Sequence, residues 1–458
     1  MIFAFEDKNS YLNLNKNQTL ECGLSRVCVS PFFNTITFTF TDRIYNIEMY
    51  IDDKGNENHR DIFNKDYGIR YLHIDEIGDN QKYIIPVGVH QSPYEWCGGG
   101  YGNSKLDHIF HNINTKYLKD LKRGNAYLLI DNSYEGYHFD WLFDYFHNGA
   151  IEYGFDPQQV IFISGNSILE DTLSEWKRVN NHKTSINVIG YSHFEHDIGR
   201  DTFRYSQYHD GIKNGYYKHV PPLPDYYDQL TYKKENLKDI KFFNFLNRRP
   251  RHHRLWMLSM MHEYNLEKDG IISANDSNDT DIRIDDRILH YEYRDRLKNI
   301  LPKRLNGENN LRGDAAKFIH RTHEQHTLDS WITIVSEAQF EDSMKTIFLS
   351  EKLFKPISCS HPFIILGSKN YLKEIRKMGY KTFHPYIDET YDELSNIERI
   401  DAIINELIVK SSMTDDDKLQ WFADMHKILK YNKMILWYNT HVGMPHGFNL
   451  LLKLVNDV

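Results

Sequence analysis

Short apolar runs alternate along this chain with stretches of helical periodicity, and that alternation is what most restricts the fold. The runs have the length of strands and lack polar alternation, which is typical of strands buried on both faces. Strands separated by helices predict a mostly parallel sheet and an α/β class. The predicted strands are Thr35–Phe40, Tyr83–Val87, Ala126–Ile130, Val160–Ile163, Ile186–Ile189, Ile240–Leu246, Ile332–Val335 and Phe363–Leu366, with helices at His138–Tyr153 and Ile168–Val179.

A proline-rich stretch divides the chain into two halves. Three prolines fall within four positions between Tyr216 and Tyr232, and no hydrophobic periodicity crosses this segment. A chain of 458 residues is long enough for two or three domains. We predict an N-terminal α/β domain at 1–220, a linker at 221–235, a C-terminal domain at 236–440 and a C-terminal helix at 441–458.

Composition indicates a globular protein of the cytoplasm. The chain is 40% hydrophobic and 26% charged, which is ordinary for folded domains. Its four cysteines contain no CxxC pair, and the N-terminus lacks the pattern of a signal peptide. No apolar run has the length of a membrane span, and nothing on the surface predicts a protein partner.

The acidic charge is concentrated in the first half. Residues 1–235 contain 23 Lys and Arg against 32 Asp and Glu, whereas residues 236–458 contain 32 of each. An excess of acid repels the phosphates of nucleic acid. The first half is therefore a poor candidate for an extended nucleic-acid-binding surface.

The segment 241–262, KFFNFLNRRPRHHRLWMLSMMH, contains five basic residues, three histidines and no acid. A predicted strand leads through the turn Asn247-Arg248-Arg249 into a helix that starts near Arg251 and carries Arg254. A strand, a basic turn and a helix N-terminus together favour phosphate binding at the carboxyl edge of a parallel sheet. A solvated basic helix start would show the same pattern.

The segment 331–391 carries a second charged pattern. The strand Ile332–Val335 ends at Glu337, and Glu351-Lys352 follow at a predicted helix start before the strand Phe363–Leu366. Carboxylates can hold the hydroxyls of a ribose or sugar, while a lysine and a helix N-terminus can hold phosphate. The pattern predicts a site for a diphosphate sugar. The alternatives are a surface acid at Glu337 and an ordinary charge pair at Glu351-Lys352.

In this order of elements the chain resembles the donor domain of fucosyltransferase-like and exostosin-like GT-B glycosyltransferases, including phage-encoded ones. The resemblance rests on Ser350-Glu351-Lys352, on Gly379–Phe383 (GYKTF) and on Ile387–Glu393 (IDETYDE), and it covers roughly 240–440. It implies a GT-B fold, in which two Rossmann-like domains face a central cleft. A phage-encoded enzyme of this kind would act in the host cytoplasm.

The resemblance also implies roles for individual residues. Glu351 would bind ribose hydroxyls, Lys352 would neutralise the diphosphate, and Glu337 would lie near the sugar or ribose. An arginine of the basic segment would hold the β-phosphate. The full donor-binding set is Asn247, Arg248, Arg249, Arg254, Glu337, Glu351 and Lys352. Such enzymes generally need no metal, so we expect a nucleotide-sugar as co-substrate, without a metal or a further cofactor.

An acceptor hydroxyl must lose its proton as it attacks, which calls for a general base. Glu135 follows the predicted strand Ala126–Ile130 and should lie at its carboxyl edge. His193, with Glu195 nearby, follows the strand Ile186–Ile189 and is the second candidate. A loop or helix-cap acid at position 135 would look the same in the sequence.

Two other patterns suggest metals more weakly. His320, His323 and His326 are spaced by three residues, and Asp279-Thr280-Asp281 matches a DxD sequence. We interpret the first as a solvated helix face, because no fourth ligand follows. We interpret the second as a polar loop, because it does not follow a strand.

The sequence leaves two candidates for the acceptor, a glycan and a hydroxymethylated base of phage DNA. A different class of function also fits: a non-catalytic carbohydrate-binding or particle-associated protein built on a transferase-like fold. That alternative predicts that Glu351, Lys352 and the arginines do not converge in space.

Overall fold

The computed structural model describes residues 2–5, 49–51, 57–59, 70–88, 109–133, 136, 140–195, 198–199, 229–247, 251–274, 297, 300–301, 324–342, 345–441, 451 and 453. The chain forms two compact units. The first comprises Met1–Asp197 and Asn439–Val458, and the second comprises Ile198–Tyr438.

A six-stranded sheet forms the centre of the first unit. Its strands are β1 (Ile2–Phe5), β4 (Arg70–His73), β5 (Tyr83–Gly88), β6 (Ala126–Asn132), β7 (Val160–Ser164) and β8 (Asn187–Gly190). They lie in the order β4-β1-β5-β6-β7-β8, and every pairing is parallel. Two short strands, β2 (Met49–Ile51) and β3 (Glu57–His59), pair separately and antiparallel.

The helices of the first unit are α1 (Thr115–Lys122), α2 (Asp140–Tyr153) and α3 (Leu169–Asn180), with 3-10 turns at Ile74–Glu76, Ile109–Asn112 and Pro157–Gln159. Every residue of β7 is buried, which explains its uninterrupted apolar sequence. Phe146 of α2 packs on Phe162 of β7 with ring centroids 5.0 Å apart. Trp176 of α3 packs edge-on against Phe143 at 5.7 Å.

The second unit is built on a four-stranded parallel sheet. Its strands are β9 (Lys241–Asn247), β10 (Gly270–Ala274), β11 (Ser330–Ser336) and β12 (Phe363–Leu366), in the order β10-β9-β11-β12. Its helices are α4 (Gln229–Glu235), α5 (His252–Glu263), α6 (Glu324–Leu328), α7 (Glu351–Ser358), α8 (Tyr371–Lys377), α9 (Asn396–Ser411) and α10 (Asp415–His441). Shorter 3-10 turns cover Leu237–Asp239, Leu266–Asp269 and Thr390–Glu393.

The strand order of this second sheet contains a switch point between β9 and β11. From β9 the chain adds β10 on one side, then crosses back to add β11 on the other side and β12 beyond it. Connections leaving β9 and β11 therefore diverge, which opens a crevice at the carboxyl ends of these strands. Ligands of parallel α/β sheets bind at such a point.

The predicted α/β class, with two Rossmann-like parallel sheets, is confirmed. Strand Phe363–Leu366 agrees at both ends, and six further strands agree to within two residues. Thr35–Phe40 lies outside the described residues. Strands β1, β4 and β10 were not predicted, because each is short and has no periodicity of its own.

Residues 229–235 of the predicted linker form helix α4, while 221–228 lie outside the described part of the chain. Of the predicted C-terminal helix at 441–458, the structure describes His441, Leu451 and Lys453, all helical. Helix α9 starts with a capping box at Ser395, where the Glu398 carboxylate accepts hydrogen bonds from the Ser395 N–H and hydroxyl.

No helix within the described residues is both long enough and apolar enough to cross a membrane.

A buried lysine fixes α4 to the segment that enters β11. Lys233 is fully buried, and Asp329 lies close to its charge. Burial lowers the pKa of Lys233 to about 7, against the attraction of Asp329. Its ammonium donates to three backbone carbonyls, those of Thr327, Leu328 and Ser330.

The first prediction concerns this lysine and pH. In the unfolded chain the pKa of a lysine returns to about 10.4. Between pH 7 and that value the unfolded chain binds more protons, so the Lys233 contribution to the free energy of unfolding rises with pH. We therefore expect the free energy of unfolding of the wild type, minus that of Lys233→Met, to increase by about 3–5 kcal/mol over this interval. Urea unfolding of both proteins at a series of pH values measures it, and parallel pH profiles would contradict it.

Candidate functional site

Helix α5 holds the end of β11 through Arg254. This side chain is buried, and its Nε donates to the Ser336 hydroxyl at 3.0 Å. Its Nη2 donates to the carbonyl oxygens of Ser336 at 2.8 Å and Glu337 at 3.0 Å. Buried carbonyl oxygens at a strand end need donors, and Arg254 supplies them. Arg254 is therefore a positioning residue for the segment that carries Glu337.

Two neighbours of Arg254 extend this anchoring. The Nε2–H of His253 donates to the Glu337 carbonyl at 3.0 Å, and Nη1 of Arg251 donates to the Ala338 carbonyl at 2.8 Å. Burial and the adjacent Arg254 hold the pKa of His253 well below its ordinary value, so the ring is neutral. That ring stacks on Phe340 with centroids 4.8 Å apart.

Arg399 of α9 connects the chain after β11 to the chain after β12. Its guanidinium is buried, and Nη1 donates to the carbonyls of Phe340 at 3.2 Å and Gly367 at 2.7 Å. Nη2 donates to Asp342 at 2.6 Å. The two strand-end segments are thereby held in a fixed relation to each other.

The Glu337 side chain joins three elements at this edge. Only 1% of Glu337 is exposed, and its N–H donates to the Leu366 carbonyl at the end of β12. Its Oε1 accepts hydrogen bonds from the Tyr371 hydroxyl at 2.6 Å and from the Ser350 N–H at 3.3 Å. Burial, together with Glu337, raises the pKa of Tyr371 well above its ordinary value, so this phenol stays a donor.

The first turn of α7 carries the acid-lysine pair. Ser350 is the N-cap, and its hydroxyl accepts from the Lys352 N–H at 3.3 Å. The Lys352 ammonium donates to Glu351 Oε1 at 2.9 Å and to the Ser350 hydroxyl at 3.2 Å. The pair is partly open to solvent, with 17% of the Glu351 side chain and 33% of the Lys352 side chain exposed.

Lys355 adds a second cation one turn later on α7. Burial opposes ionisation of Glu351, but Lys352 and Lys355 together hold its pKa below the ordinary value. Burial lowers the pKa of Lys355 to about 8, against the attraction of Glu351. At neutral pH most of Lys355 is therefore charged, and these three side chains carry a net positive charge beside the helix N-terminus.

Several buried polar atoms at this edge have no hydrogen-bond partner among the described residues. They lie at the ends of three adjacent strands: both amide atoms of Asn247 after β9, Oε2 of Glu337 after β11, and Oγ of Ser368 after β12. An unsatisfied buried polar group costs about 1–3 kcal/mol. A ligand with several hydroxyls would satisfy these atoms, and the adjacent cations and helix N-terminus would hold an anion.

The structure places the predicted donor residues as follows. Asn247, Glu337, Glu351 and Lys352 lie at one edge of one sheet, and Ser350 hydrogen bonds to both Glu337 and Lys352. Arg254 lies at the same edge, with its donors on the β11 backbone. Arg248 and Arg249 lie outside the described residues.

Sequence reasoning missed three residues of this edge. Lys355 shares the helix of Glu351 and could have been found from the helical spacing of four residues. Tyr371 contacts Glu337 across 34 positions of sequence, and no local pattern signals that contact. Ser368 lies two residues after β12, and its position near a strand end was the available signal.

In the first unit, Glu135 lies outside the described residues. His193 is buried after β8; its N–H donates to the Tyr191 carbonyl at 3.0 Å, and its ring packs edge-on against Phe194. Oε1 of Glu195 accepts from the Asn439 amide at 2.7 Å.

Within the described residues, no three His, Cys, Asp or Glu side chains are grouped so that they could hold a metal ion. His320, His323 and the segment 279–281 lie outside that part of the chain.

No protein-family model matches the sequence, and no curated protein matches it. Among solved structures, the chain is similar to a UDP-forming α,α-trehalose-phosphate synthase from Burkholderia xenovorans. The two share 9% identity with a TM-score of 0.34, over 78% of this chain and 80% of that one. The correspondence is loose, and the α/β assignment stands on the strand pairing.

The second prediction tests the structural role of Arg254. Arg254→Met removes the guanidinium that donates to the Ser336 carbonyl and hydroxyl and leaves the Glu337 carbonyl with His253 as its remaining side-chain donor. We therefore expect the free energy of unfolding to fall by about 2–4 kcal/mol. An arginine that only binds phosphate would leave the stability of the free protein unchanged. Urea unfolding without ligand distinguishes the two roles.

The matched control for this measurement is Arg376→Met. Arg376 is partly exposed and pairs with Glu389 at 3.3 Å. A surface pair contributes at most about 1 kcal/mol. An equal fall in the free energy of unfolding in the two variants would contradict a structural role of Arg254 at the end of β11.

Proposed function

We propose that the protein is a GT-B glycosyltransferase that moves a sugar from a nucleotide-diphosphate sugar to an acceptor hydroxyl. One observation carries the proposal: within the described residues, buried polar groups at the ends of β9, β11 and β12 have no hydrogen-bond partner, and one of these side chains, Glu337, contacts the N-cap of α7, which carries the cations. A nucleotide-sugar is a ligand with both features, since it joins hydroxyl-rich rings to a diphosphate.

The diphosphate would bind at the first turn of α7. The dipole of a helix favours an anion at its N-terminus. Lys352 is held beside this N-terminus by Glu351 and the Ser350 hydroxyl, so its charge is positioned before the ligand arrives. Such preorganised groups stabilise a departing diphosphate most, because they need no rearrangement as charge develops.

The hydroxyls of the ribose and sugar would bind at the strand ends. Oε2 of Glu337 and the amide oxygen of Asn247 can accept hydrogen bonds, while the Asn247 Nδ2 and the Ser368 hydroxyl can donate them. Glu351 stays ionised beside Lys352, because the two lysines hold its pKa low, and it can accept from the ribose. These roles follow the pattern implied by the sequence resemblance for Glu337 and Glu351.

In the transfer step the acceptor oxygen forms a bond to the anomeric carbon as the bond from that carbon to the diphosphate breaks. The acceptor proton passes to a base, for which Glu135 and His193 of the first unit are the candidates. The nucleoside diphosphate leaves with the electron pair of the broken bond. No metal is needed in this scheme, since fixed cations and N–H groups receive the charge.

The third prediction is nucleotide binding that depends on Lys352. A ligand of the folded state at 100 times its Kd stabilises a protein by about 2.7 kcal/mol, so the melting temperature should rise with one nucleoside diphosphate of a panel. Lys352→Ala removes a charge-assisted bond and should weaken that binding about ten- to a hundredfold.

Lys377→Ala is the matched control for Lys352→Ala, because the Lys377 side chain is 52% exposed and pairs with Glu374 of the same helix, α8. It should bind nucleotide like the wild type. A wild type that no nucleoside diphosphate stabilises would refute the donor site. Nucleotide binding without release of diphosphate from any nucleotide-sugar would favour the non-catalytic alternative.

The fourth prediction separates sugar from nucleotide at Glu337. Glu337→Gln keeps an Oε1 acceptor for Ser350 and Tyr371 but replaces Oε2 with a donor. We expect about tenfold weaker binding of the nucleotide-sugar, with little change in the melting temperature of the free protein. Calorimetry with the nucleotide-sugar and with the corresponding nucleoside diphosphate shows whether Glu337 contacts the sugar or the nucleotide. Unchanged affinity for both ligands would remove Glu337 from the site.

A further inference from the structure

The first sheet has its own group of buried polar side chains at the carboxyl ends of β6, β7 and β8. Each member is at most 4% exposed. The group comprises Asp131, Asn132, Ser133, Ser164, Asn166, His193 and Glu195. Polar side chains at the centre of a parallel sheet edge are costly unless something satisfies them, so their partners decide what the edge does.

The strand register places these residues side by side. Asn132 is paired with Ser164, and Ser164 is paired with Gly190, each the last residue of its strand. Adjacent strands are about 4.8 Å apart, and registered residues of parallel strands point to the same face. Asn132 and Ser164 therefore present their side chains together at the sheet edge, with Ser133 and Ser192 directly beyond the strands.

Two side chains of this group and the neighbouring, partly buried Ser192 have side-chain atoms without a hydrogen-bond partner within the described residues. Asn132 lacks one at both Nδ2 and Oδ1, and the hydroxyls of Ser133 and Ser192 lack one as well. The Ser133 N–H, by contrast, is satisfied by Asp131 Oδ1 at 2.8 Å. At this position the backbone N–H has a hydrogen-bond partner, whereas the side-chain groups that could contact a ligand have none among the described residues.

A buried asparagine of the second sheet shows how this fold satisfies an amide that is purely structural. Nδ2 of Asn244 donates to the hydroxyls of Ser330 and Thr333, both at 2.8 Å. Asn132 is equally buried but has neither kind of contact. The difference points to a ligand at Asn132.

The charges of this edge restrict the ligand to a neutral one. The segments 131–133, 164–172 and 190–195 contain no lysine or arginine but include Asp131, Glu170, Asp171 and Glu195. A phosphate or a nucleic-acid backbone would be repelled. An amide and two hydroxyls offer both donors and acceptors, which is what a sugar hydroxyl requires.

We propose that Asn132, Ser133 and Ser192 form a binding site for a neutral saccharide at the carboxyl edge of β6 and β8. As the acceptor site of a transferase this assignment rests on the proposed function, and it selects a glycan over a DNA base. As a saccharide site it stands on the unsatisfied groups alone.

The fifth prediction follows from the cost of those groups. Asn132→Leu replaces an unsatisfied buried amide with an apolar group of similar size, so the free protein should become more stable, with a melting temperature higher by about 1–3 °C. Asn244→Leu is the matched control and should lower the melting temperature, because it breaks two hydrogen bonds. Asn132→Leu melting below the wild type would overturn the proposal, since Asn132 would then be a satisfied core residue.

Ligand binding is the second readout. Glucose, galactose, mannose, N-acetylglucosamine and their disaccharides at millimolar concentration provide the neutral probes, and inorganic phosphate and a DNA duplex provide the charged ones. We expect at least one saccharide to raise the melting temperature of the wild type, with about tenfold or greater loss of affinity in Asn132→Leu. Stabilisation by DNA or phosphate that is lost in Asn132→Leu, or no stabilisation by any saccharide, would overturn the proposal.

The nucleotide response keeps this test separate from the proposed function. Asn132→Leu should keep the shift produced by the nucleoside diphosphate, because Asn132 and Lys352 belong to different sheets. A wild type that is stabilised by a nucleoside diphosphate but by no saccharide would refute the saccharide site alone. A wild type that is stabilised by a saccharide but by no nucleoside diphosphate would refute the transferase alone.

Discussion

The arrangement of the second unit depends on how the backbone leaving β11 is satisfied. The carbonyls of Ser336, Glu337 and Ala338 lie where the sheet ladder ends, and they receive hydrogen bonds from Arg254, His253 and Arg251 of α5. With these contacts the backbone of Glu337 is fixed, so its carboxylate can reach the N-cap of α7 and the hydroxyl of Tyr371. Glu337 thereby connects the end of β11 to α7 and to α8. A helix that appears in the sequence as a basic, ligand-binding element thus acts first as the support for its neighbour.

This support explains why a run of basic residues is an ambiguous signal. A guanidinium can satisfy a phosphate or several carbonyls, since both offer acceptors in one plane. The sequence around Arg254 shows the positive charge and the strand-to-helix turn but not the carbonyls of a segment more than eighty residues away. For the acid-lysine pair the situation is simpler, because Ser350, Glu351 and Lys352 interact within one helical turn.

The same distinction between local and distant interactions divides what the sequence could predict from what it could not. Val160–Ser164 and Phe363–Leu366 are strands buried along their whole length, so their apolar runs sufficed. Glu337 was recognisable from its place at a strand end. Strand β10 and the contact of Tyr371 with Glu337 arise from tertiary pairing, and the unsatisfied amides of Asn132 and Asn247 are visible only when all their surroundings are known. The fold class and the position of Glu337, Glu351 and Lys352 at one sheet edge were therefore predictable, whereas the buried polar groups without partners among the described residues were not.

The strand ends of the two sheets both contain buried polar groups, but the charged residues around those groups differ in sign. Each is parallel, and each has buried polar atoms at the carboxyl ends of its strands that find no hydrogen-bond partner among the described residues. In the second unit these atoms lie beside Lys352, Lys355 and a capped helix N-terminus, which favour an anion. In the first unit they lie among Asp131, Glu170 and Glu195, without a basic residue in the strand-end segments. The uneven charge of the whole chain, acidic through residue 235 and balanced afterwards, repeats this difference. Because a buried polar atom is satisfied equally well by many ligands, the surrounding charge decides between them. The charge of the second unit favours the diphosphate-bearing ligand that we propose there, and the charge of the first unit favours a neutral ligand that is rich in hydroxyls.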